Sequence, residues 1–558
     1  MSGHGRLLTL MVLLAITQAV AAKKPILESL HNLSVSGPGN IRAATESDIC
    51  LFCHTSHAAD ALVPLWNKGK PGSIYQPYSS STAKALAGQP TGSSLLCLSC
   101  HDGTIALGKT NNKGSIPMAN GVSFLPPGSS RLGTDLSDDH PISFLYPDDP
   151  ELVPPDALFG TVKLENGQVQ CRSCHDPHNN QYGKFLVMPN DGGALCVTCH
   201  DKTFWDQSSH NTSIATWDNL GPDPWPESDR VTVADNGCQN CHTTHSAPKP
   251  ERLLNHREEE DTCLGCHNGH VAQKDLQSEF MKYSRHPVTA TSEVHDPVEG
   301  AVIDTRHVEC ADCHNPHAAQ SGAVSALGTL TGVRGVSLSG AEINPVSNEY
   351  EVCLRCHGDS FQKPADNTDR MHKQTNVRLE FDTSNPSYHP VAGPGNNPDV
   401  NSLIPPLTTS SVINCTDCHN NDSGPGAGGM GPMGPHGSAY PSLLERQYVT
   451  TDPNPYSSAS YGLCFKCHDE NYIMNDIRFP HNTHTRDNSA PCNVCHDPHG
   501  ISATQGNVIN NKALINFDTN VVSPNNDGLF YFESSGTHAG TCYLSCHGTE
   551  HNPLSYPK

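Results

Sequence analysis

The chain has 558 residues, of which 24 are cysteine and 33 histidine, while only 35% are hydrophobic and 16% charged. With 46 glycines and 44 prolines besides, so little apolar side chain cannot build conventional cores over this length; either the chain stays unfolded or something other than side chains fills its interior. A net charge of −23 argues against nucleic acid, which needs clustered Lys and Arg, and past the N-terminus no apolar run approaches the ~20 residues of a membrane span.

The first element is a leader. Met1 to Arg6 is short and basic, Leu7 to Ile16 is apolar, and Ala19-Val20-Ala21 fits a small-x-small cleavage pattern. Lys23-Lys24-Pro25 follows at once, with no amphipathic continuation. Residues 1–21 are therefore expected to be a signal peptide. No cysteine precedes Cys50, so no thiol at the cleavage site could carry a lipid. The expected protein is exported and unanchored, beginning near Ala22, in the periplasm, on the outer-membrane surface or outside the cell.

Every cysteine then falls in a pair closed by histidine. The first six are Cys50/Cys53 with His54, Cys97/Cys100 with His101, Cys171/Cys174 with His175, Cys196/Cys199 with His200, Cys238/Cys241 with His242, and Cys263/Cys266 with His267. The other six are Cys310/Cys313 with His314, Cys353/Cys356 with His357, Cys415/Cys418 with His419, Cys464/Cys467 with His468, Cys492/Cys495 with His496, and Cys542/Cys546 with His547. Eleven read C-x-x-C-H; the last has one extra residue. C-x-x-C-H is the attachment signature of c-type haem, with two thiols for the vinyl groups and a histidine for the iron. Zinc ribbons require no histidine after the second cysteine, and disulfide frameworks scatter their spacings. Twelve covalent haem c groups are predicted. At about 45 residues per haem the porphyrin faces supply the missing apolar bulk. The expected fold is mostly irregular loop with short α-helices, at each motif and at Glu279 to Tyr283, and little β, wrapped around a chain of twelve haems.

The motifs group in twos. The first of a pair usually carries a histidine three residues after its ligating one: His57, His178, His245, His317 and His499. A further histidine lies upstream, often followed by proline, as in Asp139-His140-Pro141, Arg285-His286-Pro287 and Tyr388-His389-Pro390. Residues three apart on a helical turn lie side by side, so His178 cannot straddle the porphyrin that His175 holds and should reach another haem. One upstream and one i+3 histidine then supply distal ligands for the pair's own two haems: His31 with His57, His140 with His178, His210 with His245, His286 with His317, His389 with His436, and His484 with His499. The six pairs are placed at 22–135, 136–205, 206–280, 281–385, 386–475 and 476–558. Eight mature-chain histidines are surplus: His256, His270, His295, His307, His372, His481, His538 and His551. Of these His481 competes with His484, His307 with His286, and His270 with several. No methionine recurs with the repeat, and bis-histidine haems without methionine are of low potential.

The fifth pair departs from the pattern, because Asp422 stands three residues after His419. Either that haem is five-coordinate, or His436 replaces the ligand from the glycine- and proline-rich loop Gly424 to Gly437, whose flexibility gives it reach. Arg257-Glu258-Glu259-Glu260-Asp261 reads as a solvated face. The four tryptophans, Trp66, Trp205, Trp217 and Trp225, are expected to pack against porphyrin.

The arrangement resembles the doubled C-x-x-C-H multihaem c-type cytochromes, above all the dodecahaem cytochromes of the periplasm and outer membrane in dissimilatory metal-reducing bacteria. The resemblance rests on Cys50 to Lys68, Leu96 to Gly103, Asp138 to Phe144, Glu309 to His317 and Cys492 to Gly500. It implies anaerobic respiratory electron transfer to extracellular acceptors such as metal oxides, with redox-partner cytochromes and an outer-membrane conduit as partners. An enzyme reading, a nitrite- or hydroxylamine-type reductase with one open haem, lacks the C-x-x-C-K motif that often marks such sites. A filament-forming subunit is the structural alternative.

Overall fold

The computed structural model describes residues 25–57, 65–289, 308–320, 327–359 and 368–557. The expected leader and the surplus histidines His295 and His307 lie outside them. Most of the described chain is turn and loop, interrupted by short helices and small sheets. The longest helices, Gly92–His101 and Glu349–His357, run ten and nine residues. Among the described residues, no helix is long and apolar enough to cross a membrane. The chain divides into two compact units, one formed by 1–190, 194–200 and 244–246, the other by 191–193, 201–243 and 247–558.

Side-chain cores are few and small, as the composition requires. Ala43, Leu51, Phe52 and Ile116 form one cluster, and Tyr75, Leu98 and Leu136 another. The largest joins seven buried residues, including Val494, Phe517, Leu544 and Tyr556.

A helical turn forms at each motif of the C-x-x-C-H type, standing alone or closing a longer helix as at His101 and His357, and where it stands alone the histidine N–H donates to the carbonyl of the first cysteine. Examples are His54 to Cys50 at 2.7 Å, His175 to Cys171 at 3.0 Å and His419 to Cys415 at 2.8 Å. This turn sets both thiols on one side, since positions i and i+3 are neighbours on a helix surface.

The last motif differs from the short helix expected of it. Cys542 and Cys546 lie on the strand Ala539–Cys546, which pairs with Tyr531–Gly536, Val522–Ser523 and Thr549–Tyr556 in a four-stranded sheet. The extra residue is the reason. Thiols four apart no longer match one helical turn, but on a pleated strand even spacings return to the same face, and Tyr531, Phe532 and Tyr543 favour extended backbone.

Buried polar groups stitch successive pairs together. In the second compact unit, Glu259 accepts from the Ala311 N–H (2.8 Å) and Glu349 from Thr416 N–H and Oγ1 (2.9 and 2.8 Å). Each carboxylate, four residues ahead of a second motif, thus caps the first turn of the next pair. Ser94 does the same in the first unit, accepting from Cys171 N–H at 3.0 Å. Glu259 therefore corrects the reading of Arg257 to Asp261 as a solvated face: its side chain is 8% exposed.

Candidate haem sites

Five of the six first-motif histidines are fixed by a downstream turn. His175 Nδ1 faces the Lys184 carbonyl (2.9 Å), His242 that of Arg252 (2.8 Å), His314 that of Thr329 (3.0 Å), His419 that of Ser442 (2.7 Å) and His496 that of Ala513 (2.9 Å). A carbonyl at Nδ1 keeps the proton there, leaving Nε2 as the ligating nitrogen. Lys184, Arg252, Ser442 and Ala513 all sit at positive φ, each followed by a second residue at positive φ, a conformation non-glycine residues adopt only where the surroundings enforce it. Short bridges lock the turn to the motif, including His175 with Leu186, His242 with Leu254, His419 with Leu444 and His496 with Ile515. Sequence reasoning passed over these turns. The signal was present: Phe185-Leu186, Leu253-Leu254, Leu443-Leu444 and Leu514-Ile515 recur after the first motif of a pair.

Opposite the motif histidines stand the second imidazoles. Among the described residues, ten histidine ring pairs have centres 6.0–6.4 Å apart. Each joins one motif histidine to one outside the motifs. Second-motif histidines face the upstream histidine of their own pair: His101 faces His31, His200 faces His140, His267 faces His210, and His357 faces His286. First-motif histidines face the i+3 histidine of the following pair: His54 faces His178, His175 faces His245, His242 faces His317, and His419 faces His499. His436 stands opposite His314 at 6.1 Å. The sequence reading gave each pair's histidines to its own haems; the structure offsets the i+3 set by one pair.

That offset has a local cause. Ser284–Arg285 pairs with Gly437–Ser438, and Ser387–Tyr388 with Gly500–Ile501. Each two-residue ladder sets an upstream histidine beside the i+3-type histidine of the next pair. Glycine is required there, since a Cβ at Gly437 would lie 1.9 Å from the Glu279 carbonyl oxygen and one at Gly500 2.3 Å from that of Glu380. The proline preceding the i+3-type histidine then orients its neighbour. His31 Nδ1 faces the Pro177 carbonyl (3.2 Å), His210 that of Pro316 (2.8 Å), His286 that of Pro435 (2.8 Å) and His389 that of Pro498. Asp422, the residue that breaks the repeat, accepts from Lys282 Nζ at 2.6 Å.

Three expected distal ligands fall outside the ten pairs. His389 lies near enough to His468 for a charge on it to lower the His468 pKa. His484 Nδ1 faces the Pro480 carbonyl (3.0 Å), and its ring stacks on Phe479; His481, which competes with it, stands 6.4 Å from His496. His57 is exposed beside the undescribed segment 58–64. His547 Nε2 meets the Asp452 carboxylate at 2.9 Å. Met430 and Met433 both have exposed side chains. Trp66 and Trp205 turn ring edges to His54 and His317.

The spacing fits a six-coordinate iron. Two metal–imidazole bonds of about 2 Å, with each ring centre about 1.1 Å behind its ligating nitrogen, put trans ring centres about 6.2 Å apart. Burial, the largest cause in each case, pushes His267, His419 and His468 down to about 4 and His436 and His481 to about 3, keeping them in the neutral form that ligates. The thiols are shielded likewise: burial pushes Cys53, Cys174, Cys241 and Cys418 up to about 12. Cys97 and Cys171 hydrogen-bond one another, as do Cys263 with Cys310, Cys353 with Cys415 and Cys464 with Cys492. Thiols of successive motifs are thus neighbours within each compact unit.

The sequence pattern of the family described as "Doubled CXXCH motif" matches residues 164–204, 231–272 and 406–472. Over 205 residues the chain is 24% identical to the multiheme cytochrome MtrA of Shewanella baltica (strain OS185), an alignment covering 34% of this chain. It spans 43% of that relative's length.

Proposed function

We propose that this chain, which is a multihaem c-type cytochrome with doubled C-x-x-C-H pairs, carries electrons through twelve covalently attached, low-potential haems. The observation that carries the reading is the set of ten imidazole pairs at 6.0–6.4 Å, each joining a motif histidine to a second one. Haem c, when bound, supplies a one-electron ferric–ferrous couple. The chain's residues supply the rest: the cysteine pairs tether, the motif histidines ligate one face, and His31, His140, His178, His210, His245, His286, His317, His436 and His499 the other. His389 completes the set opposite His468, and His481 opposite His496. His484, whose Nδ1 is held by a proline carbonyl as in the other upstream histidines, serves the twelfth site. Neighbouring thiols such as Cys97 and Cys171 favour close spacing of successive haems, which electron hopping needs.

The expected leader and the resemblance to dodecahaem cytochromes support a place in anaerobic respiration, in the periplasm or at the outer membrane. There the chain would pass electrons from partner cytochromes toward an outer-membrane conduit or an extracellular metal oxide. The six haem pairs are its working divisions. Mass spectrometry of the secreted protein should find twelve haem additions and no free thiol. Eleven would leave Cys542/Cys546 unattached, and ten or fewer would overturn the six-pair scheme.

One observation favours a second reading, a reductase with an open haem. His547 Nε2 faces the Asp452 carboxylate (2.9 Å) rather than a second imidazole. Under the electron-carrier reading the holoprotein is wholly low-spin, and carbon monoxide leaves its reduced spectrum unchanged. One CO-binding haem per molecule that disappears in a Cys542→Ala/Cys546→Ala variant would put the reductase first.

A further inference from the structure

The ten imidazole pairs separate by the angle at which their planes cross. Second-motif histidines meet their partners nearly at right angles: 69° for His101 with His31, 76° for His200 with His140, 89° for His267 with His210, and 69° for His357 with His286. First-motif histidines meet theirs closer to parallel: 14° for His54 with His178, 2° for His242 with His317, 22° for His314 with His436 and 24° for His496 with His481. The remaining two, His175 with His245 and His419 with His499, cross at 34° and 48°.

Those two carry an additional device. His245 Nδ1 lies 3.0 Å from Asp139 Oδ1, and His499 Nδ1 lies 3.0 Å from Glu380 Oε2. The two carboxylate side chains are 4% and 8% exposed. In the crossed class, Nδ1 of His31, His140, His210 and His286 faces a proline carbonyl instead.

Both differences act on the iron in the same direction. Parallel imidazole planes overlap the same iron d orbital, split the near-degenerate pair and stabilise low-spin ferric iron; crossed planes leave the pair nearly equal in energy. A carboxylate at Nδ1 makes imidazole a stronger donor than a neutral carbonyl does, again favouring the ferric state. We infer that the haems alternate along the chain, the first of each pair at lower potential than the second, with Asp139 and Glu380 as positioning residues that deepen the first class. Transfer along the chain then runs over alternating steps. Each step moves one electron between ferric and ferrous iron, with no bond made or broken.

The inference rests on bis-imidazole ligation, and electron paramagnetic resonance separates the two. Crossed planes give strongly anisotropic low-spin ferric signals and parallel planes rhombic ones. In a potentiometric titration of the holoprotein, the anisotropic signals should vanish first as the potential is lowered, and the rhombic ones should persist. Partial reduction simplifies the spectrum, because low-spin ferrous neighbours are diamagnetic. Asp139→Asn and Glu380→Gln should each shift one low-spin ferric signal, that of the 34° or the 48° site, to higher potential and leave the anisotropic ones in place. A single class of low-spin signal, or anisotropic signals reduced last, overturns the alternation. Predominantly high-spin iron overturns the ligation itself. The wild-type titration decides the matter even if a variant fails to fold.

Discussion

Replacing His436 with alanine is expected to convert one low-spin haem per molecule into a high-spin, CO-binding one, and that haem is the one attached at Cys310 and Cys313. The His436 ring stands 6.1 Å from His314, and a methyl group leaves nothing within bonding range of an iron held between them. The haem of the fifth pair's first motif should be unaffected, since His499 stands opposite His419; His499→Ala should open that one instead. Asp422→His should not rescue His436→Ala, because the side chain at 422 is directed at Lys282, whose Nζ meets Asp422 at 2.6 Å. Resonance Raman spin-state marker bands, read with the CO difference spectrum, check all three variants. A His436→Ala protein that stays wholly low-spin would remove His436 from the ligand set.

Preventing haem attachment should abolish the fold rather than weaken it. The largest side-chain cluster has seven buried residues, and several others have three or four. Clusters of that size supply only a few kcal/mol, too little to offset about 1–2 kcal/mol of backbone entropy per ordered residue. Folding and cofactor attachment are then one process, as in small metal-dependent domains. Chain expressed without haem attachment should show no cooperative thermal transition by circular dichroism and should elute as an expanded coil. A cooperative transition in the haem-free chain would refute this.

Much of this is legible in the sequence alone. Cysteine and histidine spacing carried the motifs and the loop-rich fold, because covalent chemistry imposes local sequence rules; it singled out His436, but for the haem of its own pair rather than for the place opposite His314. The pairing of distal to proximal histidines was not legible. It depends on two-residue ladders such as Arg285 with Gly437 and Tyr388 with Gly500, and contacts between residues more than a hundred positions apart leave no periodicity to read. The choice of His481 over His484 opposite His496 was hidden for a different reason: the two lie three residues apart, and only packing, with His484 stacked on Phe479 and His481 facing His496, separates them. Glu259 misled the charge-run reading because its partner, the Ala311 N–H, lies beyond any window a local pattern can span.

The facing of first-motif histidines by an imidazole from the following pair has a consequence for how such a molecule can be cut or lengthened. A proteolytic nick between two pairs does not release two finished modules. The upstream fragment keeps its cysteines but loses an imidazole, and the downstream fragment keeps an imidazole with no iron to bind. Inserting one whole pair into the interior preserves every ligand, because the newcomer lends its histidine backward and borrows one from the pair ahead. The architecture behaves like overlapping roof tiles: rows can be added in the middle, while a single lifted tile uncovers its neighbour.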